Sequence, residues 1–193
     1  MARRQELSSR SFVIEDLFTI DDCLDYIERC ETVGFADAPV TTANGPVMMQ
    51  HIRNNERVII DDVSWAEQLY ERIKPWVPES WRQLEHDDTQ YTMSGLNERL
   101  RFYRYSPGQQ FKMHRDGFFE REDRSERSFL TMLLYLNDAM MGGQTLLYEE
   151  HVFEVAPRTG HVLCFEHTLL HEGLAVETGC KYVLRSDMMY KRM

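Results

Sequence analysis

From residue 99 onward the chain changes its period. Val, Leu, Thr and aromatic residues recur in short runs at 99–105, 110–116, 128–137, 144–148, 151–155, 161–166, 171–176 and 180–190. Between them lie turn signals: "SPG", "GFFEREDRSER", "NDAMMGG", "APRTG" and "ETG". A spacing of two puts successive side chains on opposite faces of a strand, and a helix has no use for it. This half must therefore form sheets. Many short strands in series predict a β-barrel or jelly roll.

The front half is patterned differently. Residues 12–18, "FVIEDLF", read as a short edge strand. "TIDDCLDYIERCETVGF" reads as a helix, with Thr19 as cap, Asp22 three residues on, an apolar stripe of Ile20, Cys23, Leu24 and Ile27, and Gly34 as stop. "SWAEQLYERIKPWV" reads as a second helix, with Ser64 as cap, Glu67 at the box position and Pro75 near its end. Between them, residues 36–56 are rich in Pro, Gly, Asn and Thr and read as a long loop with one short strand. Loops of that length tend to carry function. The expected architecture is α+β, mainly β. A single domain spans 1–193, with 1–98 as helical support and substrate loop and 99–193 as the β core.

Composition removes several classes. With 42% apolar and 28% charged residues, neither disorder nor a fibre is expected. No apolar run reaches the length of a membrane span, and "MARRQELSSRSF" lacks the apolar centre of a secretory signal, so cytoplasmic residence is expected. Cys23, Cys30, Cys164 and Cys180 form no C-x-x-C pair and read as reduced packing residues. A net charge of −10 disfavours a nonspecific nucleic-acid binder.

The chemistry starts in "RFYRYSPGQQFKMHRDG", residues 101–117. If 110–116 are extended, His114 and Asp116 project to one face, offering a nitrogen and a carboxylate oxygen to a common point. A third ligand is needed. His171 lies 55 residues after Asp116, and His161 and His167 compete with it. Two histidines and one carboxylate leave coordination positions open, as non-haem Fe(II) requires. Any one of these histidines alone reads as an ordinary polar residue at a strand end.

The company they keep is more specific. "LRFYRYSPGQQFKMHRDG", "SFLTMLLYLNDAMMGGQTLLY", "PRTGHVLCFEH" and "HEGLAVETGCKYVLRSDMMY" together resemble the prolyl 4-hydroxylase-like branch of the 2-oxoglutarate/Fe(II) oxygenases, over roughly residues 99–190. The resemblance implies a double-stranded β-helix with His114, Asp116 and His171 as iron ligands, and it prefers His171 to its rivals. It implies Lys181, ten residues after His171, as the cation for the distal carboxylate of 2-oxoglutarate. Tyr105, Tyr135, Thr131 and Thr145 are its further cosubstrate-binding residues. Gly142 and Gly143 read as a tight turn without chemical duty.

Arg185 follows Lys181 by four residues and would face the same way, about 13 Å along the strand. A buried arginine needs an anion. Asp116, the iron-bound carboxylate of 2-oxoglutarate, a substrate carboxylate and an acidic residue of a neighbouring strand are its options, with support of the iron ligand favoured. The implied cofactors are Fe(II), 2-oxoglutarate and O₂, with ascorbate as an optional addition. The implied reaction is hydroxylation of an unactivated C–H bond. A prolyl residue of a peptide or protein ranks first, a free amino acid or other small metabolite second, and nucleic acid third. Arg53, Asn54, Asn55 and Arg57 are the substrate-contact candidates, and the loops 36–56 and 117–128 are expected to cover the iron mouth. A binding module on the same fold is the non-catalytic alternative, against which the full ligand set with Lys181 speaks.

Overall fold

The strands of the second half pair into two sheets and one separate two-stranded ribbon, and the front half supplies both strands and helices to the larger sheet. A computed structural model describes residues 1–42, 45–83 and 89–193. The front half contains β1 (Arg3–Glu6), β2 (Ser11–Glu15), α1 (Ile20–Val33), β3 (Ala36–Asp37) and β4 (Val40–Thr42). These are followed by β5 (Gly45–Val47), β6 (Glu56–Asp61), α2 (Val63–Ile73), β7 (Ser80–Gln83) and β8 (Thr89–Leu96). The second half contains β9 (Arg99–Tyr105), β10 (Phe111–His114), β11 (Glu126–Tyr135), β12 (Met141–Gly142) and β13 (Thr145–Tyr148). The chain ends with β14 (Val152–Val155), β15 (Val162–Glu166), β16 (Leu170–Gly173), β17 (Val176–Thr178) and β18 (Lys181–Arg192).

The main sheet runs β1-β2-β15-β11-β18-β9-β6-β3, with β8 paired to β18 and β7 to β8. The second sheet is β10-β16-β13-β14. This is the jelly-roll architecture that the strand pattern predicts. Alternation along β11 shows how the core divides. Leu130, Met132 and Leu134 pack with Trp65, Leu69 and Ile73 of α2 and Cys23 and Cys30 of α1. Tyr135, one register over, packs between the sheets with Leu147, Phe165 and Val183. Each fully buried large apolar side chain contributes about 1.5–3 kcal/mol by leaving water.

The front half differs from its expected form in several places. It is not only helical: β2 is an interior strand held by β1 and β15, and β6 and β8 extend the main sheet. The β7–β8 hairpin was not expected at all. The 36–56 stretch holds a β4–β5 hairpin rather than one strand, with residues 43 and 44 outside the described residues. α1 starts and stops as expected, with the Thr19–Asp22 capping box in place and Gly34 at φ 91°. α2 is capped by Asp62, whose carboxylate accepts the Trp65 N–H at 2.9 Å, so Ser64 falls inside the first turn. Asp62 can take that bond because it is still extended while Val63 is already helical. All four cysteines are free thiols.

Candidate active site

β10 ends at His114, and its Cα partner across the ladder to β16 is His171. Directly opposite residues of an antiparallel pair project to the same face, which explains why two histidines 57 positions apart meet, with ring centroids 4.2 Å apart. Asp116 lies just past the strand, so strand alternation does not place it. Its backbone N–H donates to the carbonyl of His167 at 3.0 Å, folding it back between the rings. Donor atoms of His114, Asp116 and His171 all lie within 4.8 Å of one another.

These groups suit a divalent cation. The Nδ1 of His114 faces the Lys112 carbonyl at 2.7 Å, and that of His171 faces the Leu169 carbonyl at 2.9 Å. Carbonyls accept, so each Nδ1 carries the proton and each Nε2 turns its lone pair to Asp116, at 3.8 and 3.7 Å. Burial lowers both imidazoles, His114 to about 3, which keeps them neutral. Burial alone would raise Asp116. The Arg185 guanidinium, His171, His114 and the Thr131 hydroxyl together outweigh it and hold the carboxyl well below the usual range. Two neutral nitrogens, one fixed carboxylate and no thiolate match Fe(II) better than structural zinc.

Arg185 has found two of its possible anions. Its Nη2 is 3.2 Å from Asp116 and 3.1 Å from Asp187, two residues along its own strand. Burial works against the charge, and these two carboxylates more than restore it.

Lys181 is the opposite case. It is 4% exposed, and its Nζ donates to the Gly143 carbonyl at 2.5 Å. Burial pushes it down to about 7, and no carboxylate among the described residues relieves it. Gly143 therefore has a chemical duty beyond its turn. At φ 73°, it presents its carbonyl to the lysine, and a Cβ there would come within 3.2 Å of Lys181 Cδ. Lys181 lines one cavity with Tyr105, Thr145, Arg185 and the three ligand residues. Its ammonium lies 5.3 Å from the Tyr105 ring and 5.5 Å from the Tyr135 ring. The Tyr135 hydroxyl donates to Thr145 at 2.8 Å.

Thr131 has another place. Its hydroxyl donates to Asp116 Oδ2 at 2.6 Å instead of facing the cosubstrate end. Its one proton used, it accepts from His167 Nδ1 at 2.8 Å. His167 Nε2 then accepts from Ser128 at 2.8 Å, and Ser128 accepts the Phe119 N–H at 2.8 Å. Ser128, Thr131 and His167 are all buried. His167, a rival ligand by sequence, is thus the middle of a hydrogen-bond chain from loop 117–128 to Asp116. Only its nearness to the H-x-D motif in space marks it, and nothing in the local pattern does.

Asn54 and Asn55 are both engaged by the chain itself. Asn54 accepts the Gln110 N–H at 2.7 Å and pins the turn before β10. Asn55 accepts from Arg53 Nε and donates to the Glu56 carbonyl, both at 2.8 Å. Arg53 is 4% exposed, with its guanidinium 4.5 Å from the rings of Tyr103 and Phe111, both cavity residues. Arg57 sits half-buried on β6.

Fold and site together define a class: a jelly roll with a two-histidine, one-carboxylate centre beside a buried lysine is an Fe(II)/2-oxoglutarate oxygenase. Residues 100–186 match the 2OG-Fe(II) oxygenase superfamily. An uncharacterized protein of fowlpox virus (strain NVSL), FPV006/FPV255, is 32% identical over 88 residues. That match covers 46% of this chain and spans only 20% of the fowlpox protein. A Trichoplax adhaerens prolyl hydroxylase, solved with a hypoxia inducible factor peptide fragment, superposes with a TM-score of 0.67 at 18% identity, covering 94% of this chain and 84% of that one. The viral collagen prolyl hydroxylase of Paramecium bursaria Chlorella virus-1, solved with 2-oxoglutarate, gives 0.59 at 15% identity, covering 95% and 97%. At these identities the likeness is one of fold. Among the described residues, no helix is long and apolar enough to cross a membrane.

Proposed function

We propose that this chain hydroxylates an unactivated C–H bond, most directly that of a prolyl residue in a peptide or protein. The observation that carries the reading is a single cavity holding an Fe(II) donor set at one end and a buried ammonium without a carboxylate at the other. The peptide part leans on the fold shared with a hydroxylase solved on a peptide. With both bound, Fe(II) and 2-oxoglutarate supply the oxidising power: O₂ gives one atom to succinate and one to the substrate carbon, and CO₂ leaves.

The chain's own residues do the rest. His114, Asp116 and His171 hold the metal and leave the remaining positions open. Lys181 receives the distal carboxylate of 2-oxoglutarate, with Tyr105, Tyr135 and Thr145 shaping that end. A carboxylate beside Lys181 supplies the counter-charge that burial has denied it. Arg185 holds Asp116 ionised and in place, a supporting role beside the metal. The apolar walls from Phe111, Leu133 and Val183 exclude water.

Succinate release from 2-oxoglutarate with Fe(II) and ascorbate, with and without prolyl peptides, tests the reading. Peptide-stimulated release with a mass gain of one oxygen supports it. Stimulation by free amino acids alone would move the substrate to the small-molecule class.

A further inference from the structure

The face of the main sheet that lines the cavity carries a row of guanidiniums. Arg57 is the Cα partner of Tyr103, and Arg101 is the partner of both Ile59 and Arg185. Opposite residues share a face, so Arg57, Arg101 and Arg185 project with Tyr103 toward the iron side, and Arg99, two residues before Arg101, joins them. Arg53 lies over Tyr103. Three of the five have carboxylates. Arg185 has Asp116 and Asp187, Arg101 shares Asp187 at 3.1 Å, and Arg99 has Asp61 at 3.4 Å.

Arg53 and Arg57 have none among the described residues. Arg53 is more than nine-tenths buried, and its Nη2 has no hydrogen-bond partner. Arg57 is burdened first by burial and then by Arg53, Arg101 and Arg99, with Tyr103 as the relief. Burial would raise the Tyr103 phenol, yet Arg53, Arg185 and Arg101 bring it down to about 8. A chain with ten more acidic than basic charges has carboxylates in plenty, and none faces these two. Desolvated guanidiniums are tolerated where an anion completes them, and beyond the Tyr103 phenol the described residues supply none. Lys181 lies opposite Tyr105, two positions along β9 from Tyr103 and on the same face, so this second cationic place adjoins it.

We propose that Arg53 and Arg57 form an anion subsite for an acidic side chain, so that the substrate is a peptide with Asp or Glu beside the residue to be hydroxylated. This rests on the peptide reading above.

Fluorescein-labelled proline peptides flanked by Glu, and counterparts with Gln or Lys in its place, test it by anisotropy. The enzyme is loaded with Fe(II) and 2-oxoglutarate without oxygen, so binding is read apart from turnover. The Glu peptide should bind about tenfold tighter than the Gln peptide, a difference of about 1.4 kcal/mol, and the Lys peptide weakest. Arg57→Gln should erase the Glu preference and Arg57→Lys should keep most of it. Equal binding of the Glu and Gln peptides by the unaltered protein overturns the proposal, even if both are hydroxylated on admitting oxygen. Preferential binding of the Glu peptide without hydroxylation sustains the subsite and refutes the prolyl reaction instead. A single-stranded oligonucleotide that displaces the Glu peptide at lower concentration than unlabelled Glu peptide would overturn the acidic peptide in favour of phosphate. A raised 2-oxoglutarate requirement in Arg57→Gln, with the Glu preference intact, would also overturn it.

Discussion

The two ends of the cavity treat charge in opposite ways. At the Asp116 end, a buried carboxylate is met by Arg185, by the Thr131 hydroxyl and by two imidazole nitrogens. At the Lys181 end, a buried ammonium has one carbonyl and two aromatic rings. The first end is complete as a protein network and needs only a cation among its donors. The second is left short of an anion. A site that must keep its metal through many turnovers gains from a fixed ligand set. A site that must take and release a dianion each cycle gains from a charge held ready but unmatched.

The comparison can be broken most severely at the metal end. His114→Ala, Asp116→Ala or His171→Ala should each abolish turnover and Fe(II) binding, while circular dichroism shows the sheets intact. Loss of metal with His167→Ala but not His171→Ala would reverse the ligand assignment.

Lys181→Ala tests the other end. The 2-oxoglutarate requirement should rise by roughly 2–4 kcal/mol, about 30- to 1000-fold, with little change in Fe(II) affinity. An unchanged KM for 2-oxoglutarate would show that the carboxylate binds elsewhere.

His167→Phe sharpens the contrast by loosening the complete end without touching a ligand. Fe(II) affinity should fall roughly 10- to 100-fold, the usual effect of removing a ligand's supporting partner, while 2-oxoglutarate binding to the metal-loaded protein changes less. Equal loss at both ends would mean that the residue matters only for the fold.

The smallest effect concerns protons. Free Lys181 titrates near 7, below the ordinary lysine value of 10.5. An arriving carboxylate favours the ammonium and raises that value, so between these two pH values binding should take up as much as one proton. Affinity should therefore weaken as pH rises above about 7. Calorimetry in buffers of different ionisation enthalpy reads the uptake directly, and proton release would refute the assignment.

The sequence by itself determined the strand-rich half, because period-two alternation is a local property that survives any arrangement of neighbours. β9 falls on residues 99–105 as read, and α1 begins and ends at the cap and glycine that mark it. His114, Asp116, His171 and Lys181 were legible because a family's spacing stands in for their unseen proximity. What only the tertiary structure decided are the partners across long loops. His167 meets Thr131 across 36 positions and Ser128 across 39, and Gly143 meets Lys181 across 38. The same holds for Asp116, which a backbone bond to His167 places after its strand has ended, and for the row that brings Arg57 and Arg185 to one face through the intervening β9. Hydrogen bonds and charge contacts act over a few ångströms. Which groups come that close is set by sheet order and register, which no local pattern of residues records.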